Sequence, residues 1–365
     1  MRITRRGVLK AGGAAAFVVA AGGAAVNALP DVADDPVPFR LGTYTSAGGP
    51  GIIGGHLDPA TGAPVAEGGA VALSEASWLA TSPAGSILYA ISEQHAGTVS
   101  ALTPGLEVLS TTPTGDGPAH VTVHPGGNFL FVSLYGGGAV VTHPIDGDGT
   151  VSPASDTRRQ GIGGRRSHAH QAVIDPTGAY LLVVDLGVDT IFIYAFDSQA
   201  GRLGEVARTA LAPGSGPRHL AFHPGGGFAY VANELDSTVT VCAWADGVLK
   251  PGQVIAAGPA TPVTNHPGEI VVSSDGRFVY VSNRGTNTVG VFATRDGGAR
   301  LAPVATPACG GDWPRHLTLD PSGRRLYVAN QRSGTVTWLP VDAATGVPGA
   351  VAGRFAAPGA AQILI

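Results

Sequence analysis

The stretch RHLAFHPGG, residues 218–226, has the pattern of an apolar strand that runs into a tight turn. Five more copies of this pattern can be aligned on the glycine of the turn. They read SWLATSPAG (ending at Gly85), AHVTVHPGG (Gly127), HQAVIDPTG (Gly178), GEIVVSSDG (Gly276) and RHLTLDPSG (Gly323). The intervals between successive glycines are 42, 51, 48, 50 and 47 residues. Self-similarity at this period, with strands as the repeating unit, predicts a β-propeller.

Six repeats leave strand-like segments unmatched at both ends of the chain. Residues 39–46 and 51–62 precede the first copy, and the apolar segment AQILI, residues 361–365, follows the last one. Pairing of these ends would close the ring and remove exposed sheet edges. We therefore predict an all-β fold, with residues 39–365 forming one seven-bladed propeller whose last blade is closed by the N- and C-terminal strands. A six-bladed ring is the alternative.

The composition agrees with many short strands joined by turns. Of 365 residues, 55 are glycine and 28 proline, while only 13% are charged. With 22 basic and 26 acidic residues, the net charge of -4 favours neither nucleic acid nor an anionic membrane as a partner. The two cysteines, Cys242 and Cys309, lie in different repeats and form no metal-binding pattern. Two unpaired thiols are therefore preferred to a disulfide.

The first 28 residues differ from the rest and are predicted to be an export signal. The segment TRRGVLK, residues 4–10, resembles the twin-arginine consensus, and a Gly- and Ala-rich apolar run follows it. That run is too weakly hydrophobic for a stable spanning helix. Residues 29–38 form a Pro- and Asp-rich leader. We expect the twin-arginine machinery to export the protein to the periplasm, the cell surface or the medium.

The repeat also predicts which residues line the channel, because the start of the first strand and the end of the second lie on the same rim. Three aligned columns meet there. The first holds Ser77, Ala119, His170, Arg218, Gly268 and Arg315, the second holds Trp78, His120, Gln171, His219, Glu269 and His316, and the third holds Glu93, Tyr135, Leu186, Glu234, Arg284 and Gln331. Because a buried charge is costly unless it is paired or used, His170, Arg218, Glu234 and Arg284 are the predicted catalytic residues.

Other polar residues on this rim are predicted to bind substrate. They are His168, His219, Asn233, Arg315 and His316. Structural interpretations stay open for several rim residues. Arg218 and Glu234 could form an ion pair that only supports the fold, the strand-end asparagines Asn233, Asn283 and Asn330 could tie turns, and His120, His219 and His316 could be packed core residues. His124 and His223 lie beside the turn prolines, on the opposite rim, and are predicted to be structural.

The chain resembles the lactonase family of seven-bladed propellers, which includes propeller-type 6-phosphogluconolactonases and fungal carboxymuconate cyclases. The matching segments include FRLGTYTS, GIIGGHLDPATG, SHAHQAVIDPTG, GPRHLAFHPGGGFAYVANELDSTVTV, GRFVYVSNRGTNTVGVF and WPRHLTLDPSGRRLYVANQRSGTV. In that family a histidine, two arginines and a glutamate at these places are the proposed active-site groups. Carried over residue by residue, they fall on His170, Arg218, Glu234 and Arg284.

The resemblance implies hydrolysis of a small anionic lactone, typically 6-phosphogluconolactone. We expect the protein to act as a monomer without a cofactor or metal. His170 or Glu234 would activate water, while one arginine steadies the oxyanion and another holds the acidic group. In the cyclase branch the same groups would interconvert a muconate and its lactone. Because the phosphorylated lactone is a cytoplasmic metabolite and this chain carries an export signal, a different acidic lactone is an alternative substrate.

Two further functions stay open at this point. The YVAN and YVSN segments also resemble repeats of non-catalytic surface propellers. A metal-dependent lactonase would instead place oxygen ligands around calcium, drawn from Glu93, Asp185, Asn233 and Glu234. Finally, the run that contains Arg158, Arg159, Arg165 and Arg166 would form either a basic lip that attracts acidic substrates or a solvated loop.

Overall fold

The computed structural model describes residues 36–365, and the predicted signal and most of the leader lie outside them. The described chain folds into seven four-stranded antiparallel sheets. The predicted all-β, seven-bladed propeller is confirmed, and the six-bladed alternative is wrong. The first strand begins at Val37, two residues before the predicted start of the domain.

The blades follow chain order, and we number blades 1 to 6 by the repeat that each contains. Blade 1 comprises β4 (Leu79–Thr81), β5 (Leu88–Ser92), β6 (Gly97–Leu102) and β7 (Val108–Gly115); blade 2 comprises β8 (Pro118–Val123), β9 (Phe129–Leu134), β10 (Ala139–Pro144) and β11 (Asp156–Arg159); blade 3 comprises β12 (Ala169–Ile174), β13 (Tyr180–Asp185), β14 (Thr190–Asp197) and β15 (Arg202–Ala210). Blade 4 comprises β16 (Pro217–Phe222), β17 (Phe228–Asn233), β18 (Thr238–Ala245) and β19 (Val248–Ala256); blade 5 comprises β20 (His266–Val272), β21 (Phe278–Arg284), β22 (Thr288–Arg295) and β23 (Arg300–Ala305); blade 6 comprises β24 (Pro314–Leu319), β25 (Arg325–Asn330), β26 (Thr335–Pro340) and β27 (Gly353–Ala356). Two short 3-10 helices, Thr45–Ala47 and Asp296–Gly298, lie in loops.

The seventh, closing blade joins the two ends of the described chain. It contains β1 (Val37–Thr43), β2 (Ile52–Leu57), β3 (Pro64–Ala66) and β28 (Ala360–Leu364), in the order β28-β1-β2-β3. Leu41 pairs with Ile363 in the antiparallel β1–β28 ladder. The side chain of Gln362 then bonds to the backbone of Leu79 in blade 1, accepting from its N–H at 2.5 Å and donating to its carbonyl at 3.2 Å. The predicted closure by both termini is therefore confirmed.

The Pro-x-Gly element of the repeat makes the hairpin turn between the first two strands of a blade. The six turn glycines all have a φ between 67° and 79°, in the left-handed region that glycine tolerates without a steric penalty. The residue before the turn proline stabilises the turn. In blade 3 this residue is Asp175, whose carboxylate accepts hydrogen bonds from the hydroxyl of Thr177 and the backbone N–H of Tyr180. The requirements of this turn therefore explain why the repeat can be recognised in the sequence.

The two turn histidines also link neighbouring blades. Nδ1 of His124 accepts a hydrogen bond from the N–H of Gly126, and its Nε2 lies 3.1 Å from the carbonyl oxygen of Gly178, the turn glycine of the next blade. His223 repeats this arrangement with Gly225 and Gly276. The structural role predicted for both histidines is confirmed.

The hydrophobic core lies between the faces of adjacent sheets. One apolar cluster fills the junction of blades 1 and 2, and equivalent clusters fill the other junctions around the ring. In blade 1 the second strand, β5, is buried along its whole length, whereas the outermost strand of blade 3, β15, is mostly exposed. Cys242 and Cys309 are free thiols, as predicted, and both are buried rather than half-buried. No helix within residues 36–365 has the length and apolar character that a membrane crossing requires.

Ile363 provides a test of ring closure, because it is fully buried where β28 meets β1. We expect Ile363→Ala to lower the free energy of unfolding by about 2–5 kcal/mol, since it removes buried methyl groups and leaves a cavity. Urea unfolding measures the change. Val248→Ala, on an outermost strand where the side chain is 58% exposed, is the control and should shift stability by less than about 0.5 kcal/mol. Equal effects of the two changes would contradict the importance of this pairing.

Candidate active site

A β-bulge interrupts the inner strand of five consecutive blades at its first residues. In blade 4 the register between β16 and β17 shifts between Pro217 and His219, which leaves Arg218 unpaired. Equivalent shifts leave Ala119, His170 and Arg315 unpaired, together with both Gly268 and Glu269. A bulge adds one residue to a strand and re-aims its side chain. Consecutive residues such as Arg218 and His219 can therefore both turn toward the channel, where they make the contacts described next.

Five of the six residues in the second column of the repeat fill the channel below its mouth and form what we call the channel floor. Its members are Trp78, His120, His219, Glu269 and His316. The Trp78 ring lies 4.4 Å from the ring of His120, 5.1 Å from that of His219 and 5.3 Å from that of His316, centroid to centroid. Nδ1 of His219 is 3.0 Å from both carboxylate oxygens of Glu269. All of these side chains except Trp78 are buried.

Above the floor, Glu234 lies between two guanidinium groups. Its Oε2 is 2.8 Å from Nη2 of Arg284 and 3.2 Å from Nε of Arg218. Both arginines are also tied to backbone carbonyls. Nη1 of Arg218 donates to Gly268 at 2.6 Å, and Arg284 donates to His266 and Pro267 at 3.0 Å. Nη2 of Arg218 and Nη1 of Arg284 have no hydrogen-bond partner within residues 36–365, so donors remain for an anionic ligand.

A third arginine lies on another side of the mouth. The Arg315 guanidinium carbon is 5.1 Å from the centre of the Tyr44 ring, and its Nη2 is 3.6 Å from Oε2 of Glu93. The Tyr44 hydroxyl donates to the same carboxylate oxygen at 2.6 Å. These three residues come from blade 6, the closing blade and blade 1. They meet only because the ring is closed.

His170 lies between the mouth and the floor. Its Nδ1 is 3.2 Å from Nε2 of His219, and the Tyr135 ring lies edge-on to it at 5.8 Å. The hydroxyl of Ser133 donates to the backbone carbonyl of His170 at 2.9 Å. The structure thus brings His170 to the predicted sector, but its direct hydrogen-bond partner is His219. The direct contacts of the arginine–glutamate cluster join only Arg218, Glu234 and Arg284.

Burial and neighbouring charge set the protonation of these groups. Burial, reinforced by the Arg218 guanidinium and His219, keeps the pKa of His170 well below its usual value of 6.5. Burial opposes ionisation of Glu234, but Arg284 and Arg218 outweigh it and lower the pKa of this carboxyl. Burial, with the nearby Arg284 and Arg315, lowers the pKa of Arg218 to about 9. At neutral pH the mouth therefore holds a neutral imidazole beside ionised carboxylate and guanidinium groups.

The five predicted substrate-binding residues lie in three different places: at the mouth, in the floor and inside a blade. Arg315 faces the mouth, and His168 stacks on Tyr135 at 4.4 Å beside it. His219 and His316 lie in the floor, which matches the packed-histidine interpretation. Asn233 is buried within blade 4, where its amide donates to the hydroxyls of Thr238 and Thr240, so it does not reach the mouth.

The alternative oxygen ligands for calcium are each engaged elsewhere. The Asp185 carboxylate accepts hydrogen bonds from the Ser167 hydroxyl and the backbone N–H groups of His168 and Gly187, which ties the end of β13 to the segment before β12. Glu93 and Glu234 pair with arginines. Within residues 36–365, no group of three or more His, Cys, Asp or Glu side chains is arranged to hold a metal ion.

The basic run before blade 3 is partly neutralised. Arg158 pairs with Asp156 at 2.9 Å, and Arg165 pairs with Asp189 at 2.7 Å. Arg159 and Arg166 instead donate to backbone carbonyls in the loop of residues 135–138, at 3.3 and 3.5 Å. Two of the four arginines are therefore paired with carboxylates, and Arg158 and Arg159 lie on the outermost strand β11 rather than in a loop.

Three residues of the site were not selected from the sequence. Glu269 was only one member of an aligned column, and its burial beneath His219 is a tertiary feature. Tyr44 lies in a segment without a repeat partner, so no column includes it. Trp313 precedes the proline of blade 6 and has a φ of 63°, whereas the equivalent residues of blades 2 and 4 are Gly117 and Gly216. A tryptophan at a position that is glycine in other repeats is a pattern in the sequence that could have indicated a special role for Trp313.

The Trp313 ring braces one of the site arginines. Its centroid is 3.4 Å from the guanidinium carbon of Arg332 and 5.6 Å from that of Arg284. A left-handed conformation costs a residue with a side chain about 1–2 kcal/mol. Strain of this kind persists where the surrounding structure enforces it and is common at functional sites. The indole therefore helps to fix the position of Arg284.

Comparison with known proteins identifies the family. The model described as "Lactonase, 7-bladed beta-propeller" matches residues 39–365. The chain belongs to this lactonase family. The 6-phosphogluconolactonase of Bacillus subtilis is 33% identical over 322 residues, which cover 84% of this chain and 91% of the relative. The 6-phosphogluconolactonase of Formosa agariphila is 30% identical over 290 residues, covering 74% and 82%.

Solved structures agree with this assignment. The periplasmic gluconolactonase of Pseudomonas aeruginosa superposes with a TM-score of 0.85 at 28% identity, covering 90% of this chain and 99% of that one. A Lactobacillus plantarum protein superposes with a TM-score of 0.84 at 29% identity, with the same coverage. The described fold is therefore shared over nearly the whole length of these relatives.

The buried histidines predict that stability falls in acid. Burial keeps the pKa of His120 well below 6.5 and lowers that of His316 to about 4. Below pH 6.5 the unfolded chain thus binds more protons than the native one, so the free energy of unfolding decreases as the pH falls from 6.5 toward 4. His120→Phe should reduce this slope by up to about 1.4 kcal/mol per pH unit. Urea unfolding at several pH values measures it, with His95→Phe, at an exposed position, as the control. An unchanged slope in His120→Phe would contradict the prediction.

Trp313 allows backbone strain to be separated from ring contacts. Trp313→Gly and Trp313→Ala both remove the indole, but only glycine relieves the left-handed strain. We expect the alanine variant to have a free energy of unfolding about 1 kcal/mol below that of the glycine variant. Denaturant unfolding of both proteins provides the comparison. A more stable alanine variant would show that the backbone relaxes out of the left-handed region.

Proposed function

We propose that this protein is a lactone hydrolase that opens an acidic or phosphorylated sugar lactone at the channel mouth. The observation that carries the proposal is the Arg218–Glu234–Arg284 cluster, in which both arginines are buried, near a neutral His170. Family membership supports the same activity, since relatives along most of the chain are named 6-phosphogluconolactonase. Buried charge at the mouth of a propeller channel has a clear use in binding an anion, whereas the blades need none to pack.

The guanidinium groups are suited to two tasks. Arginine binds carboxylate or phosphate through parallel hydrogen bonds, and it stabilises an oxyanion that develops during acyl transfer. Arg218 and Arg284 both pair with Glu234, and Arg218 is the arginine that acts most on the charge of His170, so we assign these two guanidinium groups to the lactone carbonyl. Arg315, held by Tyr44 and Glu93 on another side of the mouth, would bind the acidic group of the substrate.

His170 is the better general base of the two candidates. Its depressed pKa leaves the imidazole neutral and able to accept a proton at neutral pH. Glu234 is ionised, but its ion pairs with two arginines make it a weak base. In this role Glu234 orients the two guanidinium groups and balances their charge.

The reaction then balances as a simple hydrolysis. His170 takes a proton from water while the water oxygen bonds to the lactone carbonyl carbon, and the guanidinium groups stabilise the oxyanion. The carbonyl re-forms as the bond to the ring oxygen breaks, and the His170 imidazolium returns the proton to that oxygen. The product is an open-chain hydroxy acid, which loses a proton to solvent.

We also propose that the protein acts outside the cytoplasm. The twin-arginine-like segment of residues 4–10 supports export, although it lies outside the described residues. A relative with a TM-score of 0.85 is named a periplasmic gluconolactonase. An exported enzyme would meet unphosphorylated acidic sugar lactones rather than cytoplasmic phosphorylated ones. Fractionation of the expressing cells tests this location, and a cytoplasmic full-length protein would contradict it.

The activity can be tested with the purified full chain and two sugar δ-lactones, one phosphorylated and one not. We expect ring opening above the spontaneous rate, with His170→Ala lowering kcat by about 10²–10⁴-fold. Arg315→Gln should raise KM more for the phosphorylated lactone than for the neutral one. Acid release in a pH-stat measures both effects.

Glu205→Gln, an exposed change on an outermost strand, is the control and should leave the rates unchanged. Activity that is the same in His170→Ala would contradict the assignment of the base. Absence of activity on any lactone would favour a non-catalytic binding propeller, and loss of activity on addition of a chelator would point to a metal.

A further inference from the structure

We infer that Glu269 and His219 hold His170 in the tautomer that leaves its Nε2 free to accept a proton at the channel mouth. These two floor residues would be positioning residues, because they act on the substrate only through His170. The inference deepens the proposed lactone hydrolysis and rests on it for the effect on rate. The tautomer itself does not depend on that reaction, because it follows from the hydrogen-bond geometry, an ionised Glu269 and two imidazoles that burial keeps neutral.

The three side chains form a continuous hydrogen-bonded chain across three adjacent blades. Both carboxylate oxygens of Glu269 lie 3.0 Å from Nδ1 of His219, and Nε2 of His219 lies 3.2 Å from Nδ1 of His170. The relative exposures are 4% for Glu269, 0% for His219 and 6% for His170. Because the chain is buried, water does not compete with its hydrogen bonds.

The donors and acceptors of this row of hydrogen bonds can be assigned by starting at Glu269. The backbone N–H of Ile270 donates to Oε1 of Glu269 at 3.0 Å. Burial raises the pKa of this carboxyl, while His316, Arg218 and Arg315 favour its ionised form. We take Glu269 as ionised at neutral pH, and an ionised carboxylate can only accept. Nδ1 of His219 must then carry the proton and donate to Glu269. A neutral imidazole has one N–H, so Nε2 of His219 is an acceptor and Nδ1 of His170 must donate to it. The remaining nitrogen of His170, Nε2, therefore carries the lone pair.

The arginines around His170 explain why the carboxylate of Glu269 matters for the protonation of His170. The groups that act on the charge of His170 are Arg218, His219, Arg315 and Arg284, with Tyr135 edge-on to its ring. Three guanidinium groups oppose formation of an imidazolium. Glu269, which also faces His316 at 3.6 Å, supplies negative charge through His219 that favours it. Without that charge, a proton taken from water would be held less well.

The backbone of His170 is fixed as well. It occupies the bulge of β12, and its carbonyl accepts from Ser133 in the neighbouring blade at 2.9 Å. The contact to Ser133 therefore fixes the backbone of His170, and the contact to His219 fixes its imidazole. In hydrolysis the free Nε2 would take a proton from water and later return it to the ring oxygen, while the Nδ1 proton stays in place.

Nitrogen-15 NMR of the histidine side chains in the full-length protein tests the tautomer directly. We expect a neutral His170 with its proton on Nδ1, assigned by the loss of its signals in His170→Gln. In Glu269→Gln the amide N–H₂ can donate to Nδ1 of His219, because Ile270 continues to donate to the amide oxygen. That change would move the His219 proton to Nε2 and the His170 proton to Nε2.

Kinetics provide a second measurement. Glu269→Gln should lower kcat for the lactone by about 10²–10⁴-fold, on the scale of a general base in the wrong tautomer, while KM changes by less than about threefold. The residual activity should have its acid limb, in kcat/KM, at lower pH than in the wild type, because loss of the carboxylate disfavours the imidazolium. A purely structural role would not shift this limb.

Matched variants keep the test decisive. Glu205→Gln makes the same chemical change at an exposed site and should alter neither the tautomer nor the rate. Glu269→Asp retains the carboxylate and should recover part of the activity, and it also serves if the glutamine variant does not fold. Wild-type His170 with its proton on Nε2, or a glutamine variant with an unchanged tautomer and acid limb, would overturn the inference.

The outcomes also separate this inference from the proposed function. If the tautomers behave as expected but no lactone is opened, the hydrogen-bonded chain stands and the proposed reaction is wrong. If the wild type opens lactones while His170 carries its proton on Nε2, the reaction stands and the positioning role is wrong.

Discussion

The antiparallel pairing of Ala360–Leu364 with Val37–Thr43 is the contact on which the ring depends. Each blade buries its faces only against its two neighbours, so an open ring would leave two apolar sheet faces and two free edges exposed to water. Closure removes them and adds a cluster around Phe39 and Ile363. It also brings Tyr44 and Glu93 to Arg315, which completes one side of the channel mouth. Fold stability and site assembly therefore share one cause.

Inside the ring, the mouth concentrates charge at a place where water is scarce. Burial and mutual repulsion lower the pKa values of Arg218 and Arg284, whereas Tyr44 and Glu93 outweigh burial and raise that of Arg315. Glu234, Glu93 and several backbone carbonyls offset this cost, and the remaining guanidinium donors are preorganised for an anion because the backbone bonds hold them in place. Replacing such a cluster by apolar side chains would often stabilise a protein. Its presence in the channel is therefore best understood through ligand binding.

The bulges at the starts of the inner strands divide the channel into two layers. A regular strand would send consecutive side chains to opposite faces, whereas each bulge lets the side chains of two consecutive residues point toward the channel. Arg218 joins the charged mouth, and His219, the next residue, joins the buried floor. This arrangement puts a hydrogen-bonded support directly beneath His170. The support and the reacting layer are built from the same short segments.

The sequence alone determined the architecture, because a repeat with a turn glycine at positive φ and a regular period is a local signal that needs no knowledge of distant contacts. It also predicted closure by the termini, the structural turn histidines and the sector that holds His170, Arg218, Glu234 and Arg284. Only the tertiary structure decided that Asn233 turns into its blade, that His219 lies beneath His170, and that Tyr44 and Glu269 belong to the site. Side-chain direction at a bulge and hydrogen bonds between blades depend on how the ring closes, and no single repeat carries that information.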